Sequence, residues 1–362
     1  MNFFKGSLSS VDATEAVAEG LSEAGIETVM FPLADGGDGT IEVVKYLSGG
    51  ELVEVEVHDP LGRSIKAHYL RLGQNAVVES ARATGIALLK PSKLDPMVAS
   101  SYGTGELLAR ALRDGAKRVV LGLGGSATND GGLGLLVGMG GKATGTREYG
   151  GRGLMSVKDI DLSPVLDLLE GRDLIIASDV FNPLLGPNGA TRTYGPQKGV
   201  TPEMAKGLEK AMARWCAVLE RRSGRRLKRE PGAGAAGGMG AAALSIGGKL
   251  RLGAEIILEF GGFEDRASNC EGLVTGEGKM DGQTRFGKAP VVVARAFRDA
   301  GGRRVVGLAG TLGEGYEELR PPFDAFFSIT TGPMSLEESM ARTHSLLRQT
   351  AREIGELLRC SS

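Results

Sequence analysis

Apolar positions in this chain gather in short unbroken runs, and the stretches between the runs are polar and dense in glycine. Residues 119–123, 173–178, 273–275, 304–308 and 325–329 are runs of the length and make-up expected of buried parallel strands. Residues 28–31 form a similar, shorter run. Other stretches carry apolar residues at helical spacing. One holds Val11, Val17 and Leu21, opens on Ser9 with Asp12 three residues on, and stops at Gly25. Residues 41–47 form a second, with Asp38 as a cap, and 101–115 a third, with Thr104 as a cap. Thr201-Pro202-Glu203 opens a helix that puts Leu208, Met212, Trp215 and Leu219 on one stripe. Pro290 begins another over 291–298. From Ser335 a long final helix presents Leu336, Met340, Leu347, Ala351, Ile354 and Leu358.

The middle of the chain departs from this alternation. Residues 52–57, 65–72 and 76–79 are strands in succession, two of them joined around Asp59-Pro60-Leu61-Gly62. Residues 250–260 are apolar and β-branched enough for strands. Residues 231–243, although rich in glycine and alanine, predict a close-packed turn and helix. Strand–helix alternation resumes near the end. The simplest assembly closes 1–49 with 288–362 into one discontinuous domain and makes 50–287 an inserted α/β domain.

Composition narrows the class. Glycine is 57 of 362 residues, roughly double ordinary usage, with no Gly-X-Y period. The excess falls in turns, where a backbone can come close to a ligand. A net charge of −1 gives no general attraction to nucleic acid or to membranes. The basic stretch at 221–229 reads as a solvated helix end or loop rather than a nucleic-acid patch. Cys216, Cys270 and Cys360 lie far apart, without metal or disulfide spacing, which fits a reducing cytoplasm. His58, His68 and His344 are equally scattered. No apolar run of membrane-spanning length occurs.

The candidate chemistry sits in the glycine turns. Gly124, Gly125, Ser126, Ala127 and Thr128 follow a strand, Asn129 and Asp130 add an amide and a carboxylate, and an apolar run from Gly131 opens a helix. Strand, glycine turn and helix start together present backbone N–H groups to a phosphate. Close packing alone can also demand such a turn. Gly122-x-Gly124-x-x-Ala127 approaches the dinucleotide fingerprint, but Lys142 and Ala143 stand where the ribose-binding acid belongs. A second turn, PLADGGDGT, places Asp35 at a strand end, where a carboxylate can bind Mg²⁺ or accept a proton. Asp179, Asn182, Asn188 and Lys198 lie in a loop stiffened by three prolines. Glu277, Lys279 and Asp281 concentrate charge in TGEGKMDGQTRFGK. There Gly282-x-x-x-x-Gly287-Lys288 nearly matches a Walker loop, but Ala289 replaces the Mg²⁺-binding hydroxyl. Lys5 stands ahead of the first helix, where it can hold a phosphate or be merely solvated.

Taken in order, FKGSLS, PLADGGDGT, GLGGSATNDGG, SDVFNPLLGPNGAT with YGPQKG, PGAGAAGGMG and TGEGKMDGQTRFGK resemble the bacterial type I glycerate kinase family. The likeness runs from Phe4 to about Met334. It implies ATP-dependent phosphorylation of D-glycerate with Mg²⁺, usually on the 2-hydroxyl. It also implies two α/β domains flanking a cleft, the Rossmann-like (flavodoxin-like) one here formed by both chain ends. The family usually begins with a strand and a Pro-Asp, where this chain has Met1 and Asn2. A shortened start would make it a weak or inactive variant. On this reading Gly124, Gly125, Ser126, Thr128, Asn129, Asp130, Gly131, Lys198, Glu277 and Lys279 bind ATP. Asp179 or Asp130 holds Mg²⁺, and Asp35, Asp179, Asp281 and Lys5 are the catalytic candidates. D-glycerate and ATP are the expected partners in the cytoplasm, with a homodimer allowed and neither nucleic acid nor membrane involved. A kinase for another small hydroxy acid, a dinucleotide-dependent oxidoreductase and a non-catalytic nucleotide-binding protein remain the competing classes.

Overall fold

The computed structural model describes residues 1–360. It is a mixed α/β structure that divides into two compact units. The first comprises Met1–Asp35, Glu42–Gly49 and the chain from Leu252 onward; the second comprises Gly36–Ile41 and Gly50–Arg251. The segment 252–287, grouped above with the insert, clusters with the chain ends. Its strand Gly272–Thr275 pairs with Arg304–Ala309, which fixes it in that sheet.

The second unit is built on a six-stranded sheet. Glu51–His58, Ser64–Leu72 and Asn75–Glu79 are antiparallel neighbours. Arg118–Gly122, Asp173–Ala177 and Lys249–Arg251 continue the sheet in parallel. Arg118–Gly122 is flanked on both sides, and its Val119, Val120 and Leu121 are fully buried. A strand covered on both faces needs such an unbroken apolar run. The helices Tyr102–Arg113, Leu133–Gly138, Pro202–Ser223 and Met239–Ser245 enclose one large core that includes Trp215.

The first unit has a three-stranded parallel sheet, ordered Ala325–Ser328, Arg304–Ala309, Gly272–Thr275. Alternate residues of the middle strand serve two cores, as the two-residue period of a strand requires. Val305 and Ala309 join Val291, Val293, Ala294 and Phe297 of the helix Ala289–Asp299. Val306 and Leu308 join residues of the helices Ser10–Glu23 and Thr343–Cys360. These two helices touch at Gly20, where a methyl group would lie 2.0 Å from the Arg348 carbonyl oxygen.

Several local signals act as expected. The Ser9 hydroxyl accepts the Asp12 N–H, and the Thr201 hydroxyl accepts that of Met204. Other expectations are corrected. Residues 28–31 form no strand; nearby, the Leu33 N–H donates to the Met1 carbonyl at 2.9 Å. Residues 253–261 are a helix, with only Lys249–Arg251 in the sheet. Gly253, Ala254, Ile256, Ile257 and Gly261 are buried at helical spacing, a pattern masked by the β-branched residues. The final helix is two helices, Leu336–Ala341 and Thr343–Cys360. Asp38 does not hold the Ile41 N–H at the start of Thr40–Ser48; Glu79 does, at 2.7 Å. Thr104 lies inside its helix and bonds Thr84. No helix among the described residues is long and apolar enough to cross a membrane.

Candidate functional site

In the second unit, several glycine motifs distant in sequence meet beyond the carboxyl ends of the parallel strands. Ligands bind α/β sheets at this end. The turn after Arg118–Gly122 lies against residues 36–37: a methyl on Gly124 would be 2.3 Å from Gly37 Cα, and one on Gly36 would be 2.6 Å from the Ala177 carbonyl oxygen. On its other side the turn meets the 231–243 segment. Gly131 donates to the Gly237 carbonyl at 3.0 Å, and a methyl on Gly237 would be 2.0 Å from the Thr128 oxygen. Gly234 in turn donates to the Asn182 carbonyl at 2.9 Å. Backbone meets backbone at each contact, which is why the motifs are so rich in glycine.

The turn commits only some of its N–H groups to the rest of the fold. Leu123 donates to Ala177, Ala127 to Thr84 and Gly131 to Gly237. The N–H groups of Gly124, Gly125 and Ser126 have no partner among the described residues. Below them lies Lys198, 2 % exposed, whose Nζ donates to Ser126 Oγ and to the Thr128 carbonyl, each at 2.8 Å. Burial pulls this ammonium down to about 7, with Asp130 acting in the opposite sense. Thr128 and Asn129 are fully buried, and Asn129 Nδ2 donates to Thr191 at 3.1 Å. Their Oγ1 and Oδ1 atoms have no partner among the described residues.

Asp130 has a different place from the one expected of a metal ligand. It is fully buried, and its carboxylate accepts from Ser101 N and Oγ, Gly132 N and Gly134 N, at 2.7–3.2 Å. Burial pushes its carboxyl upward against those four bonds. With its oxygens so occupied, it ties the starts of two helices together. Ser101 completes the tie by accepting the Leu135 N–H at 2.8 Å.

Asp179 is half-buried just beyond the strand Asp173–Ala177. Burial first, then the Asp179 charge, raise the Tyr194 phenol. That phenol donates to Asn182 Oδ1 at 2.8 Å, and Asn182 Nδ2 donates to the Asn188 carbonyl. No group of three or more His, Cys, Asp or Glu side chains among the described residues is placed to hold a metal ion. Mg²⁺ delivered with a nucleotide needs only one or two carboxylates besides phosphate and water. Asp179, a hard oxygen donor, fits that requirement.

The first unit carries its own cluster at its strand ends. Phe4 and Leu8 exchange backbone hydrogen bonds, so FKGSL is a tight turn with Lys5 exposed. A methyl on Gly278 would be 3.6 Å from Lys5 N. Beside this turn, Glu277 is 8 % exposed and its Oε1 accepts from Thr284 Oγ1 at 3.0 Å and Lys288 Nζ at 3.2 Å. Burial pushes the Glu277 carboxyl up, Lys288 and Thr284 pull it back, and the nearby Asp35 adds to the rise. Asp281 pairs with the exposed Lys279 at 2.9 Å, and this bond leads in holding its carboxyl below the ordinary range. Thr284 Oγ1 also accepts the Asp281 N–H at 3.2 Å.

Of the sequence candidates, Gly124, Gly125, Ser126, Thr128, Asn129, Asp130, Gly131, Lys198 and Asp179 therefore belong to the second unit. Lys5, Asp35, Glu277, Lys279 and Asp281 belong to the first. Sequence reasoning gave no role to Ser101, Thr284 or Lys288. For Lys288 the Gly287-Lys288 pair at a helix start was a signal; for the two hydroxyls there was none.

Comparison with known proteins points one way. The model of the glycerate kinase family matches residues 1–359. The chain is 38 % identical over 361 residues to the glycerate kinase of Halalkalibacterium halodurans, covering 97 % of this chain and 95 % of that one. It is 36 % identical over 365 residues to the glycerate 2-kinase of Escherichia coli, covering 98 % and 96 %. A crystal structure of a Salmonella typhimurium LT2 protein described as glycerate kinase 2 superposes with a TM-score of 0.85 at 35 % identity. That match covers 99 % of this chain and 97 % of the other.

Proposed function

This chain belongs to the glycerate kinase family and is a kinase, and on that premise we propose that it transfers the γ-phosphoryl group of ATP to the 2-hydroxyl of D-glycerate. The products are ADP and 2-phosphoglycerate. One observation carries the nucleotide half of this reading: the N–H groups of Gly124, Gly125 and Ser126, without a partner among the described residues, stand on a turn braced by a buried lysine. Donors fixed in advance stabilise phosphate oxygens without reorganising during the reaction.

Phosphoryl transfer needs alignment and charge neutralisation more than covalent help. Ser126 and the N–H groups of Gly124 and Gly125 receive the phosphates. Asp179 would hold Mg²⁺, whose charge would offset that of the phosphates. Asp130 and Lys198 keep the turn in shape from inside and touch no substrate. Lys5 and Lys279, both exposed, offset charge on the transferring group. Asp35 accepts the hydroxyl proton as the glycerate oxygen bonds to phosphorus and the bond from phosphorus to the ADP oxygen breaks. It is the better base than Asp281, which Lys279 holds in its ionised, weakly basic form.

The test is a coupled ADP-release assay with D-glycerate, followed by NMR of the product. ADP formation dependent on D-glycerate, with phosphate on carbon 2, is expected. Faster turnover of another small hydroxy acid would replace the acceptor, and NAD(P)H binding without ATP consumption would overturn the class. Asp179→Asn should lower turnover by at least about 10²-fold while thermal stability stays near wild type. Full turnover in that variant removes Asp179 from the mechanism.

A further inference from the structure

Ser126 and Lys198 lie 72 residues apart, and the bond between them fixes more than the shape of a turn. A lysine ammonium has three N–H donors and no acceptor, whereas a serine hydroxyl has one donor and two lone pairs. The Lys198 Nζ is 2.8 Å from Ser126 Oγ and 2.8 Å from the Thr128 carbonyl oxygen. Ser126 thus accepts from the interior, and its own proton is left over. Its hydroxyl makes no other hydrogen bond among the described residues. The residue keeps 6 % exposure, next to the exposed Gly125. The backbone here does not depend on the lysine alone. Ser126 bridges Gly85, Ile86 donates to the Gly125 carbonyl at 2.7 Å, and Ala127 donates to that of Thr84 at 2.9 Å. What Lys198 alone supplies is the sense of the hydroxyl.

We propose that Lys198 is a positioning residue for nucleotide binding: by donating to Ser126 Oγ from the interior, it makes the Ser126 hydroxyl an outward donor for a phosphate oxygen. This rests on the reading that the glycine turn receives phosphates. In the reverse sense, an uncharged amine would accept the hydroxyl proton, and Ser126 would offer only lone pairs to an anion. The ammonium also strengthens the outward bond, because hydrogen bonds in series polarise one another. Burial disfavours the ammonium, and the Asp130 charge favours it. The two bonds to oxygen act with Asp130, since they are made by the charged form.

The experiment measures binding of MgADP, without glycerate, to the full chain by calorimetry at pH 6. Wild type, Lys198→Met, Ser126→Ala and the double variant are compared. Each single variant should bind about tenfold more weakly, and the double variant no more than about threefold below either, because both changes remove the same donor. Effects that multiply, to about a hundredfold in the double variant, overturn the proposal and leave Lys198 as a brace alone. An unchanged Kd in either single variant overturns it too. The sense of the bond is read directly by titrating Lys198 with ¹⁵N-lysine NMR, its signal assigned by its loss in Lys198→Met. Removing an acceptor disfavours the ammonium, so the midpoint in Ser126→Ala should fall by about half a pH unit or more. A rise would mean that Ser126 donates to the amine, and an unmoved midpoint that the bond has no set sense; either overturns the proposal. Should Lys198→Met fail to fold, the titration of Ser126→Ala decides, with Lys198→Gln for the assignment. A wild type that binds no MgADP overturns the phosphate role together with the nucleotide half of the proposed function, whereas the titration still decides which atom donates.

Discussion

Lys198 shows how a side chain proposed from sequence to meet phosphate can be turned inward by the fold. A lysine in a polar, proline-stiffened loop looks like a phosphate ligand, but here its ammonium is buried and spent on Ser126 and Thr128. This has a consequence for stability. Burial lowers Lys198 from 10.5 to about 7 in the folded chain. Between those values the unfolded chain binds the extra proton, so the contribution of this site to stability rises with pH across that window. It is fully present above the unfolded value and is lost as pH falls through about 7. Chemical denaturation of wild type and Lys198→Met at pH 7, 8, 9 and 10 should show the wild type gaining on the variant at each step. Parallel pH dependence would mean that the lysine does not titrate there. Asp130 teaches the same lesson with opposite charge: as a residue type it suits Mg²⁺, but its four hydrogen bonds make it a tie between helices.

At the scale of an element, the strand–turn–helix from Arg118 to Gly138 is legible because its signals are local. An apolar run, a group of glycines and a second apolar run are enough to place it. What the turn touches is not local. Gly124 is required by its approach to Gly37, whereas Gly25 is required by its own φ of +78°, with open space around it. The two should therefore respond differently to alanine. Gly25→Ala should cost about 1–2 kcal/mol in thermal unfolding and leave the KM for ATP unchanged. Gly124→Ala should cost about 1–3 kcal/mol and also raise the KM for ATP, because the displaced turn carries the N–H groups. Equal KM values in both variants would separate the turn from nucleotide binding. Capping divides along the same line. Ser9 with Asp12 and Thr201 with Met204 are three residues apart and visible in sequence. Glu79 reaches Ile41 from 38 residues away and was not.

For the whole molecule, the division into two compact units supplies a spectroscopic handle. The single tryptophan, Trp215, lies in the second unit, and its indole N–H donates to the Gly131 carbonyl at 2.9 Å. Tryptophan fluorescence should thus report on the glycine turn and on the unit around it. Saturating ADP, at about 100 times its Kd, should stabilise the tryptophan-monitored transition by about 2.7 kcal/mol. An unmoved midpoint would remove the nucleotide from this turn. The strands of the six- and three-stranded sheets and most of the longer helices could be read from apolar runs and spacing, whereas the short strands Lys142–Thr144, Asp159–Asp161, Lys279–Met280 and Thr311–Leu312 could not. The stretch 250–260 misled because a short apolar β-branched run has no unique period, and the stretch from Ser335 because an apolar stripe continues across a break between helices.

The sequence alone determined that glycine turns follow apolar strands, which residues carry charge beside them, and, through the order of six motifs, which family the chain resembles. These are properties of neighbours along the chain, set by local sterics and periodicity. Only the tertiary structure decided which polar groups face inward. Lys198 and Asp130 are interior braces, Glu277 is a buried carboxylate leaning on Lys288, and the N–H groups of Gly124, Gly125 and Ser126 have no partner among the described residues. The physical reason is that burial and hydrogen bonding are set by segments far apart in sequence, and no residue type announces which of its atoms those segments will cover.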